Sequence, residues 1–238
     1  MSLNIVDIVI VIFIFLCGVT GAKRGVFKQL VLCLGTILVF YLAYQFKDPL
    51  GEFFLLNLPM FDFPNLFQGV ITLNILVYQL LAFLLVLALL LIIFNIIISI
   101  TGLFEKLLRI TIILGVPSKI SGFIGGLLEG YVIAFVILFF LTQPAFSFNQ
   151  FMNSNFANKI LTSSPVLTNI TSNTVEVVEE IYELKDVKDT NLVNAKALDL
   201  MLENGVVRYE IAKELSDKGK INFDGIETIL ERHKGAQW

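Results

Sequence analysis

Groups that commonly carry out catalysis are scarce in this sequence. Its 238 residues include one histidine, His233, and two cysteines, Cys17 and Cys33, which lie inside apolar stretches. So few ligands do not make a typical zinc site. We expect the two cysteines to act as buried apolar side chains and not as a disulfide. His233 is close to the last residue, and we expect it to be exposed to solvent.

The short motifs of several enzyme and binding classes are also missing. The chain has no Walker A loop, no G-x-G-x-x-G, no G-x-S-x-G around a serine and no groove-forming pattern of basic and aromatic residues. We therefore assign no catalytic, cofactor-binding or metal-binding residue. We predict that the protein is not an enzyme and that it uses no cofactor and binds no nucleic acid.

Charge is low as well, and this excludes an ordinary soluble domain. Only 16% of the residues are charged, 56% are hydrophobic, and the mean hydropathy is +0.83. Residues 1–143 contain seven basic and six acidic side chains, whereas residues 144–238 contain ten and fourteen. We predict an all-α integral membrane protein with a membrane domain at 1–143, a polar linker at 144–174 and a water-exposed region of short helices at 175–238.

Four apolar stretches are long enough to cross a bilayer, which takes about 20 residues in a helix. They cover approximately residues 4–22, 26–46, 70–100 and 122–142. Residues 1–6 carry no charge, so we expect the first stretch to be retained as a span and not cleaved as a secretory signal. Helices are expected to end near the prolines, all of which fall outside these stretches: Pro49, Pro59, Pro64, Pro117, Pro144 and Pro165.

The connecting segments leave two interpretations open. Residues 53–68, "FFLLNLPMFDFPNLFQ", suit a loop at the level of the lipid headgroups. Residues 102–118, "GLFEKLLRITIILGVPS", suit a short amphipathic helix at the membrane surface. Either segment is equally consistent with an ordinary apolar connector.

Basic residues in the short loops predict the orientation in the membrane. The loops between spans one and two and between spans three and four carry six of them: Lys23, Arg24, Lys28, Lys106, Arg109 and Lys119. The opposite side carries only Lys47 and Lys159. We therefore predict that these six residues are cytoplasmic and that the N- and C-termini are extracytoplasmic.

Glycines recur at helical spacing in two of the spans. The stretch "GFIGGLLEG" places Gly122, Gly126 and Gly130 four residues apart, on one face of a helix. A similar small face occurs near the end of span one: Gly18, Gly21 and Gly25. Small residues let helix backbones approach closely in membranes. We predict that spans one and four pack against each other.

A few polar side chains lie within the spans, and they allow two interpretations. Glu129 is expected either to be paired near the inner boundary, with Lys23, Arg24 or Lys119 as partners, or to line a path for a solute or proton. The polar residues that would join such a path are Asp7, Asn74, Gln79 and Asn95. Gln79 and Asn95 suit interhelical hydrogen bonds equally well.

The last part of the chain has the pattern of short amphipathic helices. Asn191 is a candidate N-cap, and three helices are expected to stop at Gly205, Gly219 and Gly235. Within the polar linker we expect at most one short helix. Short helices are marginal alone, so these must pack together or on a partner. An interaction module that binds an envelope protein and a plain helical bundle are both consistent with the pattern.

The residues of the membrane part resemble a known family. "NIVDIVIVIFIFLCGVTGAKRGVFKQL" opens with an aspartate and joins two spans through basic residues, and "SKISGFIGGLLEGYVIAFVILFF" is a glycine-rich span entered from a basic residue. Over residues 4–143 this is similar to the CvpA family, the colicin V production proteins of bacterial inner membranes. The residues that carry the resemblance are Asp7, Lys23, Arg24, Gly25, Lys28, Lys119, Gly122 and Gly130.

The resemblance implies a four-span inner-membrane protein linked to toxin production or export and to envelope physiology. Glu129 departs from the family pattern, which more often has a basic residue there. We expect a non-enzymatic membrane scaffold or export factor, and a small channel or transporter for a solute or ion is the alternative. The partners considered are the lipid bilayer, a second copy of the chain and an envelope protein bound by the C-terminal helices.

Overall fold

The structure is a computed structural model that describes residues 5–63, 68–101, 103–141, 154–163 and 167–235. These residues form α-helices, one short 3-10 helix and connecting turns, with no strand among them, so the all-α prediction is confirmed. The α-helices are α1 (Ile5–Arg24), α2 (Val26–Asn57), α3 (Leu73–Thr101), α4 (Leu103–Leu141), α5 (Asn155–Ser163), α6 (Leu167–Glu183), α7 (Thr190–Glu203), α8 (Tyr209–Asp217) and α9 (Ile226–His233). The 3-10 helix is Leu184–Asp186.

Four of the described helices are long and apolar enough to cross a membrane, as the hydropathy predicts. The crossing segments are Ile5–Arg24, Val26–Asn57, Leu73–Ile100 and Pro117–Leu141. Large apolar side chains on them remain exposed, including Leu85, Leu89 and Ile92 of α3. Lipid solvates such side chains as well as a protein interior does, so their exposure is expected in a bilayer.

Two prolines do not end helices, contrary to the prediction. Pro49 lies inside α2, which continues to Asn57, and Pro117 lies inside α4, which runs unbroken from Leu103 to Leu141. Residues 103–118 are therefore part of α4 and not a separate surface helix. A proline removes one backbone hydrogen bond. Spanning helices tolerate this loss where neighbouring groups satisfy the backbone. Beyond Pro49, burial of Leu55 in the core stabilises the last turns of α2.

The chain divides into two compact units. The first comprises residues 1–45, 84–141 and 148–170. Within it α1 packs along α4, and α5 packs on both. Phe40 of α2 and Phe135 of α4 add an edge-to-face ring contact, with centroids 5.8 Å apart. This unit contains the six glycines of spans one and four and the two carboxylates Asp7 and Glu129.

The second unit comprises residues 46–83, 142–147 and 171–238. Its core joins the end of α2 and the beginning of α3 to the C-terminal helices, and it includes Leu55, Leu73, Tyr78, Ile181, Leu198, Met201 and Leu215. The C-terminal helices therefore have a packing partner within the chain. The predicted three-part division follows contiguous sequence ranges, whereas the units draw on separate stretches, and that division stays a prediction.

Polar contacts also fasten the C-terminal helices within this unit. Arg208 donates two hydrogen bonds to Glu52 of α2, 2.7 Å from Nε to Oε1 and 2.5 Å from Nη2 to Oε2. These bonds raise the pKa of the Arg208 guanidinium, although its burial acts in the opposite direction. Asn194 of α7 accepts hydrogen bonds from the backbone and the hydroxyl of Thr72. An amide thus holds α7 to the turn before α3, and an ion pair holds the turn after α7 to α2.

The ends of the C-terminal helices agree with the sequence in part. Gly205, Gly219 and Gly235 follow α7, α8 and α9 with φ of 66°, 66° and 94°, which favours glycine. The N-cap of α7 is Asp189 and not Asn191, because the Asp189 carboxylate accepts the N–H of Leu192 at 3.2 Å. Within the predicted linker, α5 occupies Asn155–Ser163 and α6 begins at Leu167, so this stretch contributes more than one helix.

His233 is not the solvated end residue that the sequence suggested. Its Nε2 lies 2.7 Å from Oδ1 of Asp199, and its side chain is 13% exposed. Arg232 binds the other oxygen of the same carboxylate at 2.7 Å. Asp199 of α7 therefore holds the last turn of α9, a contact that the separation of about 34 residues concealed in the sequence.

Candidate functional site

The glycines of spans one and four meet at a close backbone contact in the first unit. A methyl group built at Gly122 would lie 2.5 Å from the carbonyl oxygen of Gly21, and one at Gly126 would lie 3.0 Å from Cα of Gly18. At Gly130 it would lie 2.6 Å from Cβ of Cys17. Side chains at these positions would push the two helices apart.

The remaining glycine of the predicted set makes the turn into the second span. Gly25 separates α1 from α2 and has a backbone φ of 79°, a value that residues other than glycine rarely adopt. A methyl group at Gly122 would lie 3.1 Å from its Cα. The structure thus brings all six predicted glycines to the α1–α4 contact or to its edge.

Glu129 lies beside this contact and is paired. Its Oε2 accepts hydrogen bonds from Nη1 of Arg24 at 3.1 Å and from Nε2 of Gln29 at 2.5 Å. Glu129 is 8% exposed and Gln29 is fully buried. Of the three cationic partners considered from the sequence, Arg24 makes the ion pair. A carboxylate at this depth is costly unless it is compensated, and here a guanidinium and an amide compensate it.

Gln29 was missed from the sequence, where it is one polar residue at the start of an apolar span. Donation to Glu129 fixes the orientation of its amide, and its Oε1 is left buried without a hydrogen bond, the one such side-chain atom among the described residues. An unpaired buried acceptor costs about 1–3 kcal/mol. The orientation of the Gln29 amide therefore gives Glu129 a hydrogen-bond donor and leaves the Gln29 oxygen without one.

Asp7 occupies a separate position in the same unit. It is 1% exposed, and its Oδ1 accepts hydrogen bonds from Oγ of Ser154 at 2.5 Å and from the backbone N–H of Phe156 at 3.1 Å. Ser154 Oγ in turn accepts the N–H of Ala157. The carboxylate thus satisfies donors at the N-terminus of α5, where a negative charge is favoured.

The polar side chains that the sequence singled out on α3 are divided between the two units, and Asn95 is the one that shares a unit with Asp7 and Glu129. Gln79 belongs to the second unit, where its Oε1 accepts from Nζ of the buried Lys47 at 3.3 Å. Asn74, in the same unit, bonds the backbone of Phe61 and Ile71. Asn95 donates to the carbonyl of Leu91 in its own helix at 2.7 Å, so within the described residues it makes no interhelical bond.

The basic residues used to predict the orientation lie on α1, α2 and α4. Lys23 is exposed at the end of α1, Lys28 is half-buried in the first turn of α2, and Lys119 is exposed on α4. Lys106 and Arg109 belong to α4, and their side chains lie outside the described part of the structure. Arg24 forms the ion pair with Glu129.

A cleft adjoins the Arg24–Glu129 pair. It has a volume of about 400 Å³ and lies between α2, α3 and α4 of the first unit. Its polar lining residues are Arg24, Thr36, Asn95 and Glu129. The other residues that line it are Leu32, Phe40, Leu87, Leu91, Phe94, Ile133, Val136 and Ile137. The cleft is therefore apolar over most of its surface, with charge confined to a small part.

Four apolar spanning helices, with an ion pair beside a glycine contact, define a multi-pass helical membrane protein. A family model described as colicin V production protein matches residues 6–166, more than half of the chain. The chain belongs to the colicin V production protein family, as the resemblance predicted. Comparisons with curated proteins and with solved structures give no match.

Proposed function

We propose that the protein is a non-enzymatic scaffold or export factor of the bacterial inner membrane that serves toxin production and envelope physiology. The family description links its members to colicin V production. The observation that carries the proposal is the α1–α4 contact, where backbones touch through Gly21, Gly122 and Gly126. Such a contact excludes water and favours a rigid assembly over a path between these two helices.

The state of Glu129 supports the same proposal. Its two hydrogen bonds in the described part of the chain come from Arg24 and Gln29, on either side of Gly25, and the pair with Arg24 leaves no net charge. A transport residue must exchange partners with a solute or proton, whereas this carboxylate is held by an ion pair and an amide. Its arrangement favours a structural role at the junction of α1, α2 and α4.

The C-terminal helices would then present the binding surface. Their apolar sides are used within the second unit, which leaves outward faces rich in charge, such as Glu176, Glu180 and Glu183 of α6. In the proposed orientation these faces lie outside the inner membrane and meet an envelope protein. A second copy of the chain is the other protein partner that we propose.

A small channel or transporter is the second candidate, and the cleft beside Glu129 is the observation that favours it. Its polar residues Arg24, Asn95 and Glu129 would have to guide a solute or ion. This function requires flux across a bilayer, which the scaffold does not.

Flux through purified protein in liposomes separates the two candidates. We expect proton and potassium fluxes no higher than in empty liposomes, for the wild type and for Glu129→Gln alike. Glu52→Gln is the matched control, because Glu52 also pairs with an arginine but lies in the second unit. A flux that the wild type supports, that Glu129→Gln abolishes and that Glu52→Gln retains would overturn the scaffold proposal.

A further inference from the structure

The cleft beside the ion pair is polar at one end and apolar at the other. On α4, Glu129 is followed by Ile133, Val136 and Ile137 along the wall, and on α2 the lining residues run from Leu32 through Thr36 to Phe40. Eight residues of helix span about 12 Å. The cleft therefore has the form of a site for an amphiphile, with its head at Arg24 and Glu129 and its chain along the aliphatic and aromatic residues.

The ion pair retains hydrogen-bonding capacity of both signs. Glu129 receives both of its described hydrogen bonds on Oε2, so Oε1 remains an acceptor. Arg24 makes its described hydrogen bond through Nη1 alone, and its side chain is 39% exposed, so other N–H groups of the guanidinium remain donors. One carboxylate acceptor and several cationic donors are thus presented side by side.

We infer that the cleft binds a phospholipid with a zwitterionic ethanolamine headgroup. The lipid phosphate accepts hydrogen bonds from the Arg24 guanidinium, its ammonium donates to the Glu129 carboxylate, and one acyl chain lies along Phe40, Phe94 and Ile137. A zwitterion matches a neutral ion pair without leaving an unpaired charge in the bilayer. The volume of about 400 Å³ is within the range of small-molecule sites, roughly 300–1,000 Å³.

Asn95 adds an acceptor to the lining of the same cleft. Its amide nitrogen is used by the carbonyl of Leu91, and its Oδ1 makes no hydrogen bond among the described residues although the side chain is exposed on an apolar helix. An amide oxygen facing lipid tails is unfavourable, whereas one facing a headgroup ammonium is satisfied. Asn95 is thus accounted for by the same occupant as the ion pair.

Native mass spectrometry of the delipidated full-length protein in detergent tests the assignment. The probes are phosphatidylethanolamine, phosphatidylcholine and phosphatidylglycerol with identical acyl chains. Choline lacks N–H donors and glycerol lacks the ammonium, so we expect at least about tenfold more bound phosphatidylethanolamine than either, as one charge-assisted hydrogen bond provides. This comparison uses the wild type and does not depend on the folding of any variant.

Variants locate the binding. Glu129→Gln should reduce the preference for phosphatidylethanolamine to about one, because the acceptor loses its charge. Arg24→Gln should lower binding of all three lipids, and Asn95→Leu should weaken the preference in part. Arg208→Gln, at an Arg–Glu pair in the second unit, should leave binding unchanged. Equal retention of the three lipids by the wild type, or a preference that survives both Arg24→Gln and Glu129→Gln, would overturn the assignment.

Discussion

The carboxylate of Asp7 accepts hydrogen bonds from two donors at the start of α5, so removing it should destabilise the first turn of that helix. In Asp7→Ala the hydroxyl of Ser154 and the N–H of Phe156 lose their acceptor. We expect a loss of about 1–3 kcal/mol, and less in Asp7→Asn, which keeps an acceptor of similar shape. Hydrogen exchange of the amides in Asn155–Ser163 measures the effect.

The control for this prediction is Asp217→Ala. Asp217 is 61% exposed and, among the residues that the structure describes, forms an ion pair with Lys213 on its own helix, so exchange in α5 should not change. If Asp7→Ala left the exchange rates of α5 as slow as in the wild type, the capping role of Asp7 would be wrong.

Gly126 should tolerate substitution less well than Glu129. A side chain at Gly126 meets backbone of α1 that has little freedom to move, so Gly126→Leu should cost about 3 kcal/mol or more. Glu129→Gln keeps shape and part of the hydrogen bonding and should cost about 1–3 kcal/mol. The melting temperature in detergent is the measurement, with Ile124→Ala as the control on an exposed position of the same helix. A melting temperature of Gly126→Leu equal to that of the wild type would rule out the glycine contact.

The clustered glutamates of α6 predict that the stability of this helix depends on pH. Burial raises the pKa of Glu179, and Glu176 and Glu183, three and four residues away on the same face, raise it further. The folded state therefore binds this proton more tightly than the unfolded state. The stabilisation is complete below the unfolded pKa, about 4.3, and is lost as the pH rises through the folded pKa.

At neutral pH the charged Glu179 thus destabilises α6, and Glu179→Gln should raise the free energy of unfolding by about 0.2–0.5 kcal/mol. The gain should shrink as the pH is lowered towards 4, because the wild-type carboxyl becomes neutral as well. Thermal unfolding at several pH values measures it, and Glu203→Gln on α7 is the control. A gain that is the same at every pH would contradict this explanation.

The end of α2 is contacted by a lysine from the connection between α8 and α9. Nζ of Lys220 donates to the carbonyls of Leu55 and Leu58 at 2.7 and 2.8 Å, where the helix leaves acceptors unpaired and a cation is favoured. Lys220→Met should cost about 2 kcal/mol and speed exchange in the last turn of α2. Lys213→Met, which removes only an exposed pair on α8, should change stability little. Equal effects of the two variants would show that Lys220 does not cap α2.

For the molecule as a whole, the sidedness inferred from the loops can be tested directly. Protease added to intact spheroplasts should remove an epitope placed after Trp238. In a background of Cys17→Ala and Cys33→Ala, a thiol label should reach Lys106→Cys only after the membrane is opened. Asp62→Cys, in the connection between α2 and α3, should react from outside. A protected epitope together with external labelling of Lys106→Cys would invert the topology and move the proposed partner to the cytoplasm.

Much of the membrane part was predictable because it rests on local properties. Apolar runs of sufficient length predicted the four spans, and glycine spacing indicated the α1–α4 pair, since both follow from hydropathy and helical geometry. Pro49 misled the prediction of where α2 ends. A helix continues past a proline when tertiary contacts stabilise its last turns, and Leu55 and Lys220 supply such contacts here.

The partners of the polar side chains were not predictable in the same way. Asp7 and Ser154 are 147 positions apart, Arg24 and Glu129 are 105 apart, and Glu52 and Arg208 are 156 apart. Hydropathy and helical period determine that this chain spans a membrane four times and which face of a helix is small. They carry no information about distant pairing, because which carboxylate meets which donor depends on how the helices pack. Helix packing determines that Arg24, and not Lys23 or Lys119, pairs with Glu129, and that the C-terminal helices pack on the end of α2 and the beginning of α3.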